Sequence, residues 1–216
     1  MKRTIAWLLC AVLVLGLCAC GSNVTVTGSS DAEETAEVVI TELKTMGDAL
    51  TAGKDSQTVA TWNEEHYIYC LMFNGVPTRV MADLDAEMYQ KVDEVIFSGA
   101  EDAEDQLAAL LSPLPLSSVE DLSDGMLSDG DLSKLAGKSG ADLLADGWII
   151  NGSYWSDGEE FAVLMDQGNF CYQINFDQDV ERGDDFDVET AIQDLTVASA
   201  AFYGLGDACT DVDPVE

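Results

Sequence analysis

His66-Tyr67-Ile68-Tyr69-Cys70-Leu71-Met72-Phe73, followed by Asn74-Gly75-Val76-Pro77 and then by Thr78-Arg79-Val80-Met81-Ala82-Asp83-Leu84, is the stretch on which the fold class turns. Two runs rich in aromatic and β-branched residues flank an Asn-Gly pair, the pair best suited to a tight hairpin because both central positions need positive φ. Residues 58–62 supply a strand before the hairpin, so the segment predicts an antiparallel meander. Beyond it, residues 85–97 return to helical spacing with Met88, Val92, Val95 and Ile96, and residues 102–111 predict a short helix that ends before Pro113. Upstream, Ala36, Val39, Ile40, Leu43, Met46 and Leu50 recur at three- and four-residue steps from Asp31, with Gly53 as the stop.

The second half of the chain repeats this grammar. Residues 131–146 predict one or two short helices, broken at Gly137-Lys138-Ser139-Gly140 and stopped by Gly147. Residues 148–155 carry Asn151-Gly152 at their centre and predict a hairpin turn there. Strands follow at residues 160–165 and 170–176, joined through Gln167-Gly168-Asn169, and residues 188–203 fit a helix or a strand equally well. Glu64-Glu65, a strand, Asn74-Gly75 and a second strand are mirrored by Glu159-Glu160, a strand, Gln167-Gly168 and a second strand, and residues 107–114 are echoed by 192–197. The expected class is α+β, with antiparallel β-meanders packed against amphipathic helices in two pseudo-repeated halves, residues 31–123 and 124–216, the second ending in an acidic tail. Helices followed by a meander, given twice, resembles β-lactamase-inhibitor-protein-like domains. The helix break at Gly137-Lys138-Ser139-Gly140, the Leu143-Leu144 pair and the Gly147-Trp148 entry into the sheet carry that resemblance, which implies a fold and no activity.

The first residues bear on location. Lys2 and Arg3 precede an apolar run, residues 5–17, too short for a comfortable membrane span, which reads as an export signal over residues 1–19. Leu17-Cys18-Ala19-Cys20-Gly21 resembles the bacterial lipobox, which implies acylation of Cys20 and places the protein on the extracytoplasmic face of the cell membrane as a palmitate-bearing lipoprotein. Cys18 stands where Ser, Ala or Thr is commoner; it could itself be the acceptor, although Leu17 directly before it argues for Cys20. Residues 20–30 are small and polar and read as a flexible, lipid-anchored tether.

Charge narrows the partners. The chain has 41 acidic and 9 basic side chains, and loss of Lys2 and Arg3 with the signal leaves a formal charge near −34. Such a surface repels nucleic acid and favours a basic protein or envelope partner, with the lipid at Cys20 as the membrane contact. Because 47% of the residues are apolar, a folded core is expected in spite of the charge.

Familiar catalytic arrangements are missing from the sequence. Gly137-Lys138-Ser139 lacks the glycine five positions earlier that a phosphate loop needs, since Leu132 stands there, and Ser139 reads better as a helix N-cap. His66 is the only histidine and is expected at an exposed strand edge. Glu64-Glu65 and Glu159-Glu160 are expected at the surface. The run from Asp177 to Gly183 has Arg182 where a calcium loop needs glycine. Of the thiols outside the signal and anchor, Cys70 and Cys171 are expected as buried apolar residues and Cys209 as the exposed or paired one. Trp155, with Tyr154 beside it and Ser156-Asp157-Gly158 after it, is the expected aromatic contact for a partner. No cofactor or metal is expected. The function expected is non-catalytic binding or envelope assembly; the alternative is a cell-envelope hydrolase acting on carbohydrate through paired carboxylates.

Overall fold

The structure, a computed structural model, describes residues 42–155, 161–178, 180 and 186–211. The first half runs α1 (Met46–Gly53), β1 (Thr58–Trp62), β2 (His66–Phe73), β3 (Val76–Asp83), α2 (Ala86–Ile96), α3 (Ala103–Leu111) and β4 (Ser118–Asp121). The second runs α4 (Asp129–Ser133), α5 (Gly140–Ala145), β5 (Ile149–Trp155), β6 (Phe161–Gln167), β7 (Phe170–Phe176), α6 (Val188–Ile192) and β8 (Val197–Leu205). Short 3₁₀ turns lie at Ser123–Gly125 and Asp207–Thr210. The strands form two four-stranded antiparallel sheets, ordered β1-β2-β3-β4 and β5-β6-β7-β8. The α+β class and the helix-packed meanders follow from the sequence pattern.

Alternation along the inner strands divides the core. Tyr67, Tyr69 and Leu71 on β2 face Val80 and Ala82 on β3 and pack with Met46, Ala49, Val92 and Leu111 from α1, α2 and α3. In the second half Val163, Met165, Tyr172 and Ile174 pack with Leu132, Leu143 and Ile192 from α4, α5 and α6. Ile68 and Cys70, on the other face of β2, belong to this second cluster, so the first sheet contributes to both cores.

The two halves also close in the same way. Thr45 caps α1 in a reciprocal box with Asp48, and Ser139 caps α5 in the same box with Asp142. Backbone N–H groups of the cap, chiefly those of Thr45 and Ser139, hold the two carboxyls below the ordinary range. Each cap residue then pairs with the chain that leads into the last strand of its half, Thr45 with Pro115 and Ser139 with Thr196. Met46 N–H donates to Leu114 O at 2.9 Å and Gly47 N–H to Ser112 O at 3.2 Å; in the second half Gly140 N–H donates to Leu195 O at 3.0 Å and Ala141 N–H to Gln193 O at 3.2 Å. Leu116 N–H to Lys44 O, 2.9 Å, and Val197 N–H to Lys138 O, 2.8 Å, complete the match. The donors that a helix start leaves unsatisfied are thus used to pin the beginning of each half to its end.

Several expectations change. Of the amphipathic helix expected from Asp31 to Gly53, residues 42–45 are not helical and Met46–Gly53 form α1 behind the Thr45 cap, while residues 31–41 lie outside the described residues. Asn151-Gly152 is no hairpin turn: β5 passes straight through it, with a register shift between Ile150 and Gly152 that leaves Asn151 as the extra residue of a bulge. Across the sheet the Asn151 amide donates to both carboxylate oxygens of Asp166, at 3.0 and 3.2 Å, an interaction that a turn could not make. Residues 188–203 hold both candidate structures in series, α6 and then β8. The signal, the tether with Cys20, residues 31–41, Ser156-Asp157-Gly158, Glu159-Glu160 and the tail from Val212 lie outside the described residues.

Candidate functional site

The second sheet carries a single charged residue along its four strands, Asp166, and that residue is buried. Register places Tyr154, Ala162, Asn175 and Ser199 in one cross-strand row and Gly152, Leu164, Gln173 and Ala201 in the next. These rows lie opposite the face that packs on α4, α5 and α6, since their neighbours Val163, Met165, Tyr172 and Ile174 fill the core. Tyr154 is 37% exposed, Ser199 and Ala201 are exposed, and Leu164, Gln173 and Asn175 are half-buried. Gln173 Nε2 donates to Asn175 Oδ1 at 2.9 Å and Asn175 Nδ2 to Ser199 Oγ at 3.0 Å, which orients the polar groups across β7 and β8. On a chain with 41 acids this is an uncharged, partly apolar strip. The β8 segment is its border: Leu195 to Gly206 contains no charged residue, β8 is the terminal strand of its sheet, and Phe202 and Tyr203 are exposed at 37% and 36%.

At one end of the strip lies an acidic corner, Asp166 buried and Asp207 exposed beside it. The Asp166 carboxylate accepts from Asn151 and from the Asp207 backbone N–H at 3.3 Å, and the Cys171 thiol lies against it. Burial first, then the hydrogen bond and the charge of Asp166, push the Cys171 thiol far above its ordinary range, which favours the protonated thiol at neutral pH. Asp207 is raised by burial, then by the charges of Asp166 and Asp211. A carboxyl raised in the folded state contributes most stability below about pH 4, its unfolded value, and that contribution is lost as pH rises through the folded value. Asp207→Asn is therefore expected to raise Tm at pH 7 by roughly 1–2 °C after allowance for solvent screening. Scanning calorimetry at pH 7 and pH 3 checks this; the gain should vanish at pH 3, and a gain equal at both would show that the charge is not its cause.

The residues singled out in the sequence are scattered. Trp155 is half-buried and turned toward the core, packed on Phe161 and Phe186 with ring centroids 5.1 and 4.9 Å away, its indole N–H donating to Val180 O at 3.0 Å. Tyr154, the other expected contact, faces outward on the strip. His66 begins an inner strand and not an edge strand, with Nε2 3.6 Å from an Asp83 carboxylate oxygen. Ser139 caps α5 as expected, Gly137 N–H donates to Val197 O, and Lys138 Nζ pairs with Asp146 at 2.5 Å, so the Gly-Lys-Ser turn is occupied by structural bonds. Of the two expectations for Cys209, exposed or paired, the first is overturned: the thiol is buried, because the 3₁₀ turn that holds it folds back onto β1 and β2. A shallow groove of about 470 Å³ lies between α2 and α3, lined by Lys91, Glu94, Val95, Gln106, Ala109 and Leu110. It has one acid and no aromatic ring, unlike the two flanking carboxylates that a glycosidase needs. The strip itself was legible in the composition of residues 148–155 and 161–176, which hold only Asp166 among charged residues.

No family model, curated protein or solved structure matches the chain.

Proposed function

We propose that the protein is a non-catalytic binding or assembly lipoprotein of the bacterial envelope, held by acyl chains on Cys20, that engages a macromolecular partner through the uncharged face and β8 border of the second sheet. The observation that carries this reading is the confinement of charge: 41 acids populate the chain, yet the second sheet exposes none of them. Interface centres are depleted of charge and enriched in Tyr, Phe and Trp, while charged rims set the rate of encounter. Tyr154, Leu164, Gln173 and Ala201 supply such a centre, and the acidic surroundings select a partner with a basic rim.

A photo-crosslinking side chain at position 199, in intact cells, identifies the partner; binding is then measured with the purified full chain. Ala201→Asp places an unpaired charge at an exposed position inside the strip, so affinity is expected to fall by about 100-fold with Tm unchanged. Association should slow as salt rises through roughly physiological ionic strength, where the screening length is about 8 Å. Unchanged affinity in Ala201→Asp refutes the assignment of the face, and turnover of an envelope polymer by the purified chain refutes the non-catalytic reading.

A further inference from the structure

Cys70 lies in the middle of β2, on the face turned away from α1, and is the cross-strand partner of Arg79. Cys209 lies in the 3₁₀ turn Asp207–Thr210 at the far end of the described chain, and both residues are fully buried. The Cys70 Sγ–H donates to Cys209 O at 3.0 Å, which sets the two thiols beside each other. Arg79 holds the same turn from the next strand, its Nη1 donating to Asp211 O at 2.8 Å and to Cys209 O at 3.4 Å while its Nε donates to Glu120 at 3.0 Å. The other thiol among the described residues, Cys171, is engaged elsewhere, against Asp166.

We infer that Cys70 and Cys209 form a disulfide that ties the C-terminal turn of the second half to the central hairpin of the first, made by exchange with a donor disulfide, either oxidised glutathione or the active-site disulfide of a thiol oxidoreductase. One protein thiolate attacks a donor sulfur, and the first donor thiolate leaves and is protonated. The second protein thiolate then attacks the mixed disulfide, and the second donor thiolate leaves. Two protein thiols lose two protons and two electrons in total, and the donor disulfide gains both.

The timing follows from burial. In the closed fold neither sulfur meets solvent, and the adjacent Cys70 thiol together with burial keeps the Cys209 thiol protonated. Exchange therefore proceeds while the turn is lifted from β2, before Arg79 fastens it, and the finished bond is then shielded from reductant. Closing a loop of more than a hundred residues restricts the unfolded chain strongly.

The test is peptide mapping, without reduction, of the full chain refolded in a glutathione redox buffer. A cross-linked pair containing Cys70 and Cys209 is expected, with Cys171 recovered as a thiol that alkylates only after denaturation. Reduction is expected to lower Tm by about 10 °C. That drop should persist in Cys171→Ser and be absent in Cys209→Ser. Recovery of both Cys70 and Cys209 as free thiols after equilibration with oxidised glutathione overturns the inference, as does a bridge from either of them to Cys171. The wild-type map decides the matter even where a variant fails to fold.

Discussion

Replacing Gly140 by alanine is expected to destabilise the protein by at least about 3 kcal/mol, although alanine is the better helix former by about 1 kcal/mol. Gly140 is the first residue of α5, and a Cβ there would lie 2.1 Å from Ile192 O and 2.7 Å from Ile192 C. Those are backbone atoms at the end of α6, and the same carbonyl accepts from Leu195 N–H at 3.0 Å, so it cannot swing aside without loosening the closure of the second half. Gly47, in the corresponding helix start, faces Ser112 O at 2.9 Å, and Gly47→Ala should cost only about 1 kcal/mol. Urea unfolding of both variants separates the cases. A Gly140→Ala protein as stable as the wild type would show that the close approach of α5 to α6 is wrong.

The second large effect concerns location. Cys20→Ser is expected to transfer the protein from the membrane to the soluble fraction, because each buried methylene of the acyl chains contributes about 0.8 kcal/mol to retention and nothing else in the proposed mechanism holds the domain to lipid. Its Tm should remain that of the wild type, since residue 20 precedes every element of the two sheets. Fractionation after a high-salt wash, with export checked by signal cleavage, gives the answer. A variant that still sediments with membranes removes Cys20 from the anchor.

What could be read from the sequence was what local chemistry decides. Asn74-Gly75 was legible as a turn because both residues take the positive φ, 50° and 84°, that the pair tolerates and others resist. The same pair at Asn151-Gly152 was misread because its role is set by Asp166, fifteen residues away, whose carboxylate draws the Asn151 amide across the sheet. β4 carries no strand signature in the sequence, since Ser118-Val119-Glu120-Asp121 has three exposed residues and one half-buried, too little alternation to read. Trp155 looked like a surface ring beside a Ser-Asp-Gly loop, yet its partner Phe186 lies 31 positions downstream, a pairing visible only in three dimensions. The uncharged strip, by contrast, is a property of composition and was open to inspection all along.

The cap pins have a consequence for how the molecule melts. Thr45 with Pro115 and Ser139 with Thr196 bring the entrance and exit of each half side by side, so each is a loop of chain closed at its own neck. Connectivity alone would let either loop be cut out whole. The packing does not allow it, because Ile68 and Cys70 of the first loop are buried in the core of the second. Excision would strip that shared face bare, so two loops that are separable as string are expected to lose their order together on heating.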